Sequence, residues 1–238
     1  TSPEKIIFIV LAISCFSTSY FTFTKMFRVI GLGKNPIDWK KVAQNWKAGV
    51  NTFISQKTLF KTRPGVGFIH ALVAWGFSLY LFVNIIDVLY GLIPNFKFLP
   101  NHFIGDIYRI FVDIFSVLVL LGVIYFLSRR FVLKDEHLQI STPVMISNSA
   151  LKGMWLDSLL VGSFIILHVG SRFLSASFEI AGSHSDWSQP AANLVAKIWV
   201  GMDYNTIIVM EHITWWLALG LILLFLPYFP YSKHAHLF

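Results

Sequence analysis

The chain has 238 residues, is 55% hydrophobic and only 13% charged, and carries 23 phenylalanines and 8 tryptophans. That composition excludes an ordinary soluble domain and predicts an integral membrane protein. The net charge of +7 does not signal nucleic acid, because the basic residues collect between apolar runs, as insertion topology requires; the single cysteine, Cys15, excludes an internal disulfide and a Cys-ligated iron–sulfur cluster within this chain.

In chain order, apolar runs cover about 6–27, 65–92, 104–127, 151–178 and 204–229. Each is long enough to cross a ~30 Å hydrocarbon core at about 1.5 Å per residue, and too long and continuous for a barrel strand. The expected fold is an all-α bundle of five transmembrane helices, with residues 1–238 forming a single membrane domain. Between the first two runs stand Lys34, Lys40, Lys41, Lys47, Lys57, Lys61 and Arg63, opposed only by Asp38. Trp39, Val42, Ala43, Trp46, Val50 and Phe53 recur among them at helical spacing. This predicts an amphipathic helix within about 34–60, lying in the interface or docked on a partner.

The third loop opens with Arg129, Arg130 and Lys134, whereas the second and fourth carry one lysine each, Lys97 and Lys197. The asymmetry predicts an amino terminus outside, a cytoplasmic basic loop and a cytoplasmic carboxyl terminus, in a cell inner membrane. In the fourth loop, 191–200 reads as a short surface helix. On the third span, Asp106, Arg109 and Asp113 stand at i, i+3 and i+7, which reads as a structural ion pair facing other helices.

Histidine carries the chemistry. His168 lies in the middle of an apolar span, His212 lies in the last one, and His70 opens the second. Titratable groups inside a span are costly and commonly functional, and neutral imidazoles on separate helices are the axial ligands of b-type haem. A lone buried histidine that is merely hydrogen-bonded is the competing reading for each. Counting about 1.5 Å per residue, His70 lies about 8 Å from the inner end, His168 about 25 Å from it, and His212 about 12 Å from the outer end. His168 and His212 then share the outer half and are expected to bracket one haem. Arg172, one turn beyond His168, is positioned either to pair with a propionate or to snorkel.

Four stretches carry a family resemblance: 61–70 (KTRPGVGFIH), 124–130 closing the third span, Trp215-Trp216, and the tail 230–236 (PYSKHAH). Over the whole chain they resemble the membrane anchor of the nitrate reductase gamma-subunit family. The closer resemblance is to the amino-terminal membrane domain of heterodisulfide-reductase-related iron–sulfur oxidoreductases. The resemblance implies that His70 and His236 ligate a haem b near the cytoplasmic side. It also implies outer ligands at positions held here by Tyr80 and Ala218, so the usual outer pair is absent and His168 with His212 is the replacement expected from depth. Two haems are expected, with a single inner haem as the alternative. The implied function is electron transfer between a cytoplasmic iron–sulfur partner, as a subunit or further domain, and membrane quinone. His184, Glu179 and Asp186 are the expected proton-exchanging groups near the quinone. Two other readings stand beside it: a haem-free anchor docking a partner, and an ion- or proton-translocating subunit using Asp113, Glu211 and the histidines.

Overall fold

A computed structural model of the chain describes residues 2–33, 38–94, 96, 102–138 and 146–234. Lys34, Lys97 and His236 lie outside them. Every regular element among the described residues is helical: α1 (Ser2–Gly31), α2 (Trp39–Ser55), α3 (Lys57–Thr62), α4 (Pro64–Leu92), α5 (Phe103–Leu127), α6 (Asn148–Gly182), α7 (Pro190–Ala196) and α8 (Tyr204–Tyr228). Among them α1, α4, α5, α6 and α8 are long and apolar enough to cross a membrane. Large apolar side chains such as Ile13, Phe21, Leu81, Leu121 and Leu217 stand exposed on their outer faces, the arrangement a bilayer covers. The chain is an all-α, multi-pass membrane bundle.

The spans form an arc. The most extensive contact is α6 with α8; α1 packs on the far side of α8, α5 on α6, and α4 on α5. Because lipid tails are as apolar as leucine, packing of this kind depends on backbones approaching closely at small residues. A Cβ on Gly76 of α4 would lie 2.2 Å from a Val119 methyl of α5, and one on Gly122 of α5 2.6 Å from a Val73 methyl of α4. A Cβ on Gly162 of α6 would meet Leu127 at 2.7 Å. Among the described residues no comparable contact closes the arc between α4 and α8, and a cavity occupies that gap.

Each end of the bundle has its own plate. At one end α2 begins with Asp38 accepting the Lys41 N–H at 3.0 Å and ends at Gln56, whose left-handed backbone (φ 46°) turns the chain into α3. Pro64 then starts α4 with its missing N–H at no cost. Here α3 lies across the first turn of α4 so tightly that a Cβ on Gly67 would be 2.9 Å from the Leu59 carbonyl oxygen, whereas Gly65 faces open space. Gly67 therefore serves helix packing. The Trp75 Nε1–H donates to the Ile54 carbonyl at 3.0 Å and holds the end of α2 against α4, while Trp39, Val42 and Trp46 stay exposed. A helix, Trp39–Ser55, thus occupies this loop, with those apolar residues exposed among its lysines.

At the other end the polar residues of α5 dock α7. The Asp113 carboxylate accepts the Ala191 and Ala192 N–H groups at 2.7 and 2.9 Å, satisfying two donors that a helix start leaves open. Arg109 pairs with Asp106, lies 3.1 Å from Asp186 and donates to Ser188 at 2.8 Å. The structural reading of Asp106, Arg109 and Asp113 holds. Asp186, expected beside a quinone, instead accepts hydrogen bonds from Ser188 and Gln189.

The Asp186 carboxyl is held below its ordinary value: burial alone would raise it, but the Ser188 and Gln189 hydrogen bonds and Arg109 outweigh burial. A depressed folded value gives stability that is complete above the unfolded pKa of about 4 and is lost as pH falls through the lower folded value. Hydrogen exchange at Ala191–Asn193 should therefore stay protected at pH 5 and fail only in stronger acid. Asp113→Ala should expose the same amides at neutral pH, with a loss of about 2–4 kcal/mol for two charge-assisted hydrogen bonds.

Candidate functional site between α4 and α8

The gap between α4 and α8 encloses about 350 Å³. Its walls are mostly apolar: Val73, Phe77 and Leu81 from α4, Val119 from α5, Phe164, Ile165 and Val169 from α6, Leu221, Ile222 and Phe225 from α8. Phe53, Gln56 and Leu59 close the end under α2 and α3. Three histidines reach this one cavity: His70, His168 and His234. His70 stands near the α2–α3 end, its ring edge-on to Phe126 at 6.3 Å. His234 comes from the tail and stacks on Phe77 with ring centroids 5.7 Å apart, while Phe225 and Phe229 bound it on other sides. The tail histidine that the described residues place opposite α4 is thus His234; His236 lies outside them.

The tail is positioned by a residue that the sequence reading passed over. Asp157 on α6 accepts the Tyr228 hydroxyl at 2.7 Å and the Lys233 backbone N–H at 3.2 Å. Pro227 and Pro230 end α8 in a short 3₁₀ turn, Phe229–Tyr231, and the two Asp157 bonds direct residues 232–234 onto the cavity wall. Burial in this corner lowers the Lys233 ammonium below its usual range, Asp157 working against that shift and Arg130 with it.

His168 closes the opposite end of the cavity and is only 7% exposed. Its Nδ1 lies 2.7 Å from the Ala218 carbonyl oxygen of α8. A carbonyl only accepts, so Nδ1 carries the proton and Nε2 is the bare nitrogen. That Nε2 takes an N–H from Asn84 of α4 at 3.3 Å. Tyr80 presents its ring edge to His168 at 5.6 Å and its hydroxyl meets Ser116 Oγ at 2.7 Å. His168 therefore sits between the two positions, 80 and 218, at which the family resemblance implies outer haem ligands.

Arg172, one turn on, forms a two-pronged pair with Asp87 of α4, at 2.6 and 3.3 Å. Its guanidinium is committed to another helix rather than snorkelling to the surface. Neither Asn84 nor Asp87 entered the sequence reading, although both interrupt the second apolar run as His168 interrupts the fourth.

His212 faces elsewhere. It is 57% exposed, stands 3.8 Å from Glu4 of α1, and lines a separate cavity of about 230 Å³ with Glu211, Trp215 and Trp216. It lies six residues before Ala218, about 9 Å along the helix axis. The structure places His168 and His212 in the walls of different cavities. Among the described residues no group of three or more His, Cys, Asp or Glu converges as a metal site. Two axial imidazoles need no such group.

No protein-family model matches the chain, and no solved structure matches it. It is 31% identical over 191 residues, 79% of its length, to the probable iron-sulfur-binding oxidoreductase FadF of Bacillus subtilis, of which it covers 24%. It is 25% identical over 243 residues, 99% of its length, to the EtfAB:quinone oxidoreductase of Syntrophomonas wolfei, of which it covers 32%. The chain spans about a quarter to a third of these relatives and is similar to that part of each. Its relationships are with oxidoreductases.

Asp157→Ala should free the tail, and with it His234, by removing both acceptors at once. Limited proteolysis should then cut near Lys233 in the variant at protease levels that spare the parent. Asp157→Asn keeps an acceptor oxygen and should be intermediate. The loss of global stability should stay near 1–3 kcal/mol, since the bonds anchor a terminus.

Proposed function

We propose that the chain is the membrane cytochrome b part of a quinone-linked oxidoreductase, carrying electrons between an iron–sulfur partner on the cytoplasmic side and membrane quinone. The observation that carries it is the shared cavity: His70 of α4 and His234 of the tail line one apolar chamber between α4 and α8. Two imidazoles reaching one apolar chamber are what haem b requires, so the residues fit that group. The relatives' names supply the partner chemistry, iron–sulfur in one and quinone in the other. The finer likeness, to the nitrate reductase gamma type, rests on 61–70 and 230–236.

Bound there, haem b supplies a one-electron couple. The chain's own residues would hold and insulate it: His70 from α4 and a tail histidine, His234 or His236, would hold it, and Phe77, Phe164 and Phe225 would exclude water. Asp157 acts at one remove, by setting where the tail runs. We infer a single haem at this end. A second one ligated by His168 and His212 would require His212 to leave Glu4 and cross to another cavity. Two electrons and two protons convert one quinone to quinol, so a one-electron group held here would serve each quinone in two turns.

The basic α2–α3 end faces the cytoplasm in this reading, because Lys40, Lys41, Lys47, Lys57, Lys61 and Arg63 gather there. A cysteine placed at Lys47 should resist membrane-impermeant labelling in intact cells and label readily in inverted vesicles. Labelling in intact cells would reverse the topology.

Purified protein should show a reduced-minus-oxidised haem b spectrum with about one haem per chain. His70→Ala should abolish it. Of His234→Ala and His236→Ala, one should abolish it and the other leave it, which identifies the tail ligand. About two haems, falling to one in His168→Ala or His212→Ala, is the result required by the two-haem reading. Protein without any haem signal would leave a membrane anchor.

A further inference from the structure

The end of the α4–α8 cavity remote from His70 holds polar groups that the haem reading does not use. Tyr80, Asn84 and His168 are 2%, 9% and 7% exposed and all three wall the cavity. Around them the lining is apolar, with Val119, Ile165 and Ile222. This end, mostly apolar with a few converging polar atoms, has the character of a small-molecule site.

We propose that this end binds the headgroup of a quinone, with Asn84 and His168 as its hydrogen-bonding groups. The proposal rests on the electron-transfer reading and gives its quinone a place. The hydrogen-bond roles match both redox states. Asn84 gives one N–H to His168 and has a second, a donor for the carbonyl of the oxidised ring. His168, with its proton fixed on Nδ1 by the Ala218 carbonyl, presents Nε2 as an acceptor for the hydroxyl of the reduced ring. The bond between Asn84 and His168, at 3.3 Å, is longer than usual and easily opened. Tyr80 supplies a ring edge rather than a donor, since Ser116 gives its own proton to Val112 and so accepts from the Tyr80 hydroxyl.

Position also suits the role. Tyr80 and Asn84 follow His70 by ten and fourteen residues, about 15 and 21 Å along α4, so headgroup and haem occupy different levels of one chamber. Leu81 both lines the cavity and is 64% exposed on the outer face. It marks a lateral opening through which an isoprenoid tail stays in lipid.

The test uses the full chain in nanodiscs and menaquinone-2 as probe, with binding followed by equilibrium dialysis and haem by its spectrum. Asn84→Leu should weaken binding about tenfold or more and leave the haem spectrum unchanged, which also reports that the fold survives. His168→Leu should do the same, and His168→Gln, which keeps an acceptor, should recover part of the affinity. His70→Ala should lose the haem and still bind menaquinone-2. Binding lost in Asn84→Leu from a protein with no haem would sink the cytochrome reading and keep this site. Parent affinity in both Asn84→Leu and His168→Leu would overturn the proposal. So would loss of a haem from His168→Leu with menaquinone-2 affinity intact, which would make His168 an iron ligand.

Discussion

A guanidinium and a carboxylate cannot stand apart in hydrocarbon, and the pairing of Arg172 with Asp87 fixes α6 to α4 at one level of the bundle. Removing either partner would strand a buried charge at a cost of about 3–5 kcal/mol. One turn away, His168 joins α6 to α4 through Asn84 and to α8 through the Ala218 carbonyl. These polar links hold together three helices; beyond them α4 and α8 also meet where Val88, Gly91 and Leu92 pack by Trp215 and Leu219, whereas toward His70 they do not. Where the links stop, the two helices part, and the cavity begins. The expensive residues thus set both the closure of the bundle at one level and its opening at the next.

The two end plates are attached by different physics. At the α7 end the attachment is electrostatic: Asp113 caps the start of α7 and Arg109 gathers Asp106, Asp186 and Ser188. At the α2–α3 end it is close backbone packing at Gly67 and a single indole hydrogen bond. The second plate has no buried residue in α2 or α3. It covers the part of the cavity nearest His70 while leaving α2 with an apolar stripe and lysines for the interface. One plate is thus held lightly, by packing and a single indole hydrogen bond, and the other firmly, by several charges.

The spans were legible because the bilayer imposes one period and one length. The long helices begin and end within about four residues of the expected runs, with α1 and α6 extending furthest beyond them. The amphipathic α2 and the short α7 were legible for the same reason of periodicity. His168 was legible as costly, but its partners were not: a hydrogen bond to the Ala218 carbonyl leaves no trace in the type of residue 218. The separation of His168 from His212 was hidden as well. Depth along an axis fixes the level of a side chain and says nothing of the face from which it leaves, and His212 leaves α8 toward α1. Asn84, Asp87 and Asp157 were missed for a different reason. They lie in or beside apolar runs, where the cost that marks a histidine marks an amide or a carboxylate equally.

Tyr80, Ala218 and His168 behave as one steric unit. Ala218 is 2% exposed, and its methyl group leaves the neighbouring backbone open, so that an imidazole from α6 can reach the carbonyl. Tyr80 is drawn toward α5 by Ser116 and so offers His168 a ring edge instead of a competing polar tip. An imidazole in place of the Ala218 methyl group would fill the space that His168 now takes. With Asn84 beside His168, the three residues make this level a small polar pocket at the end of an apolar chamber.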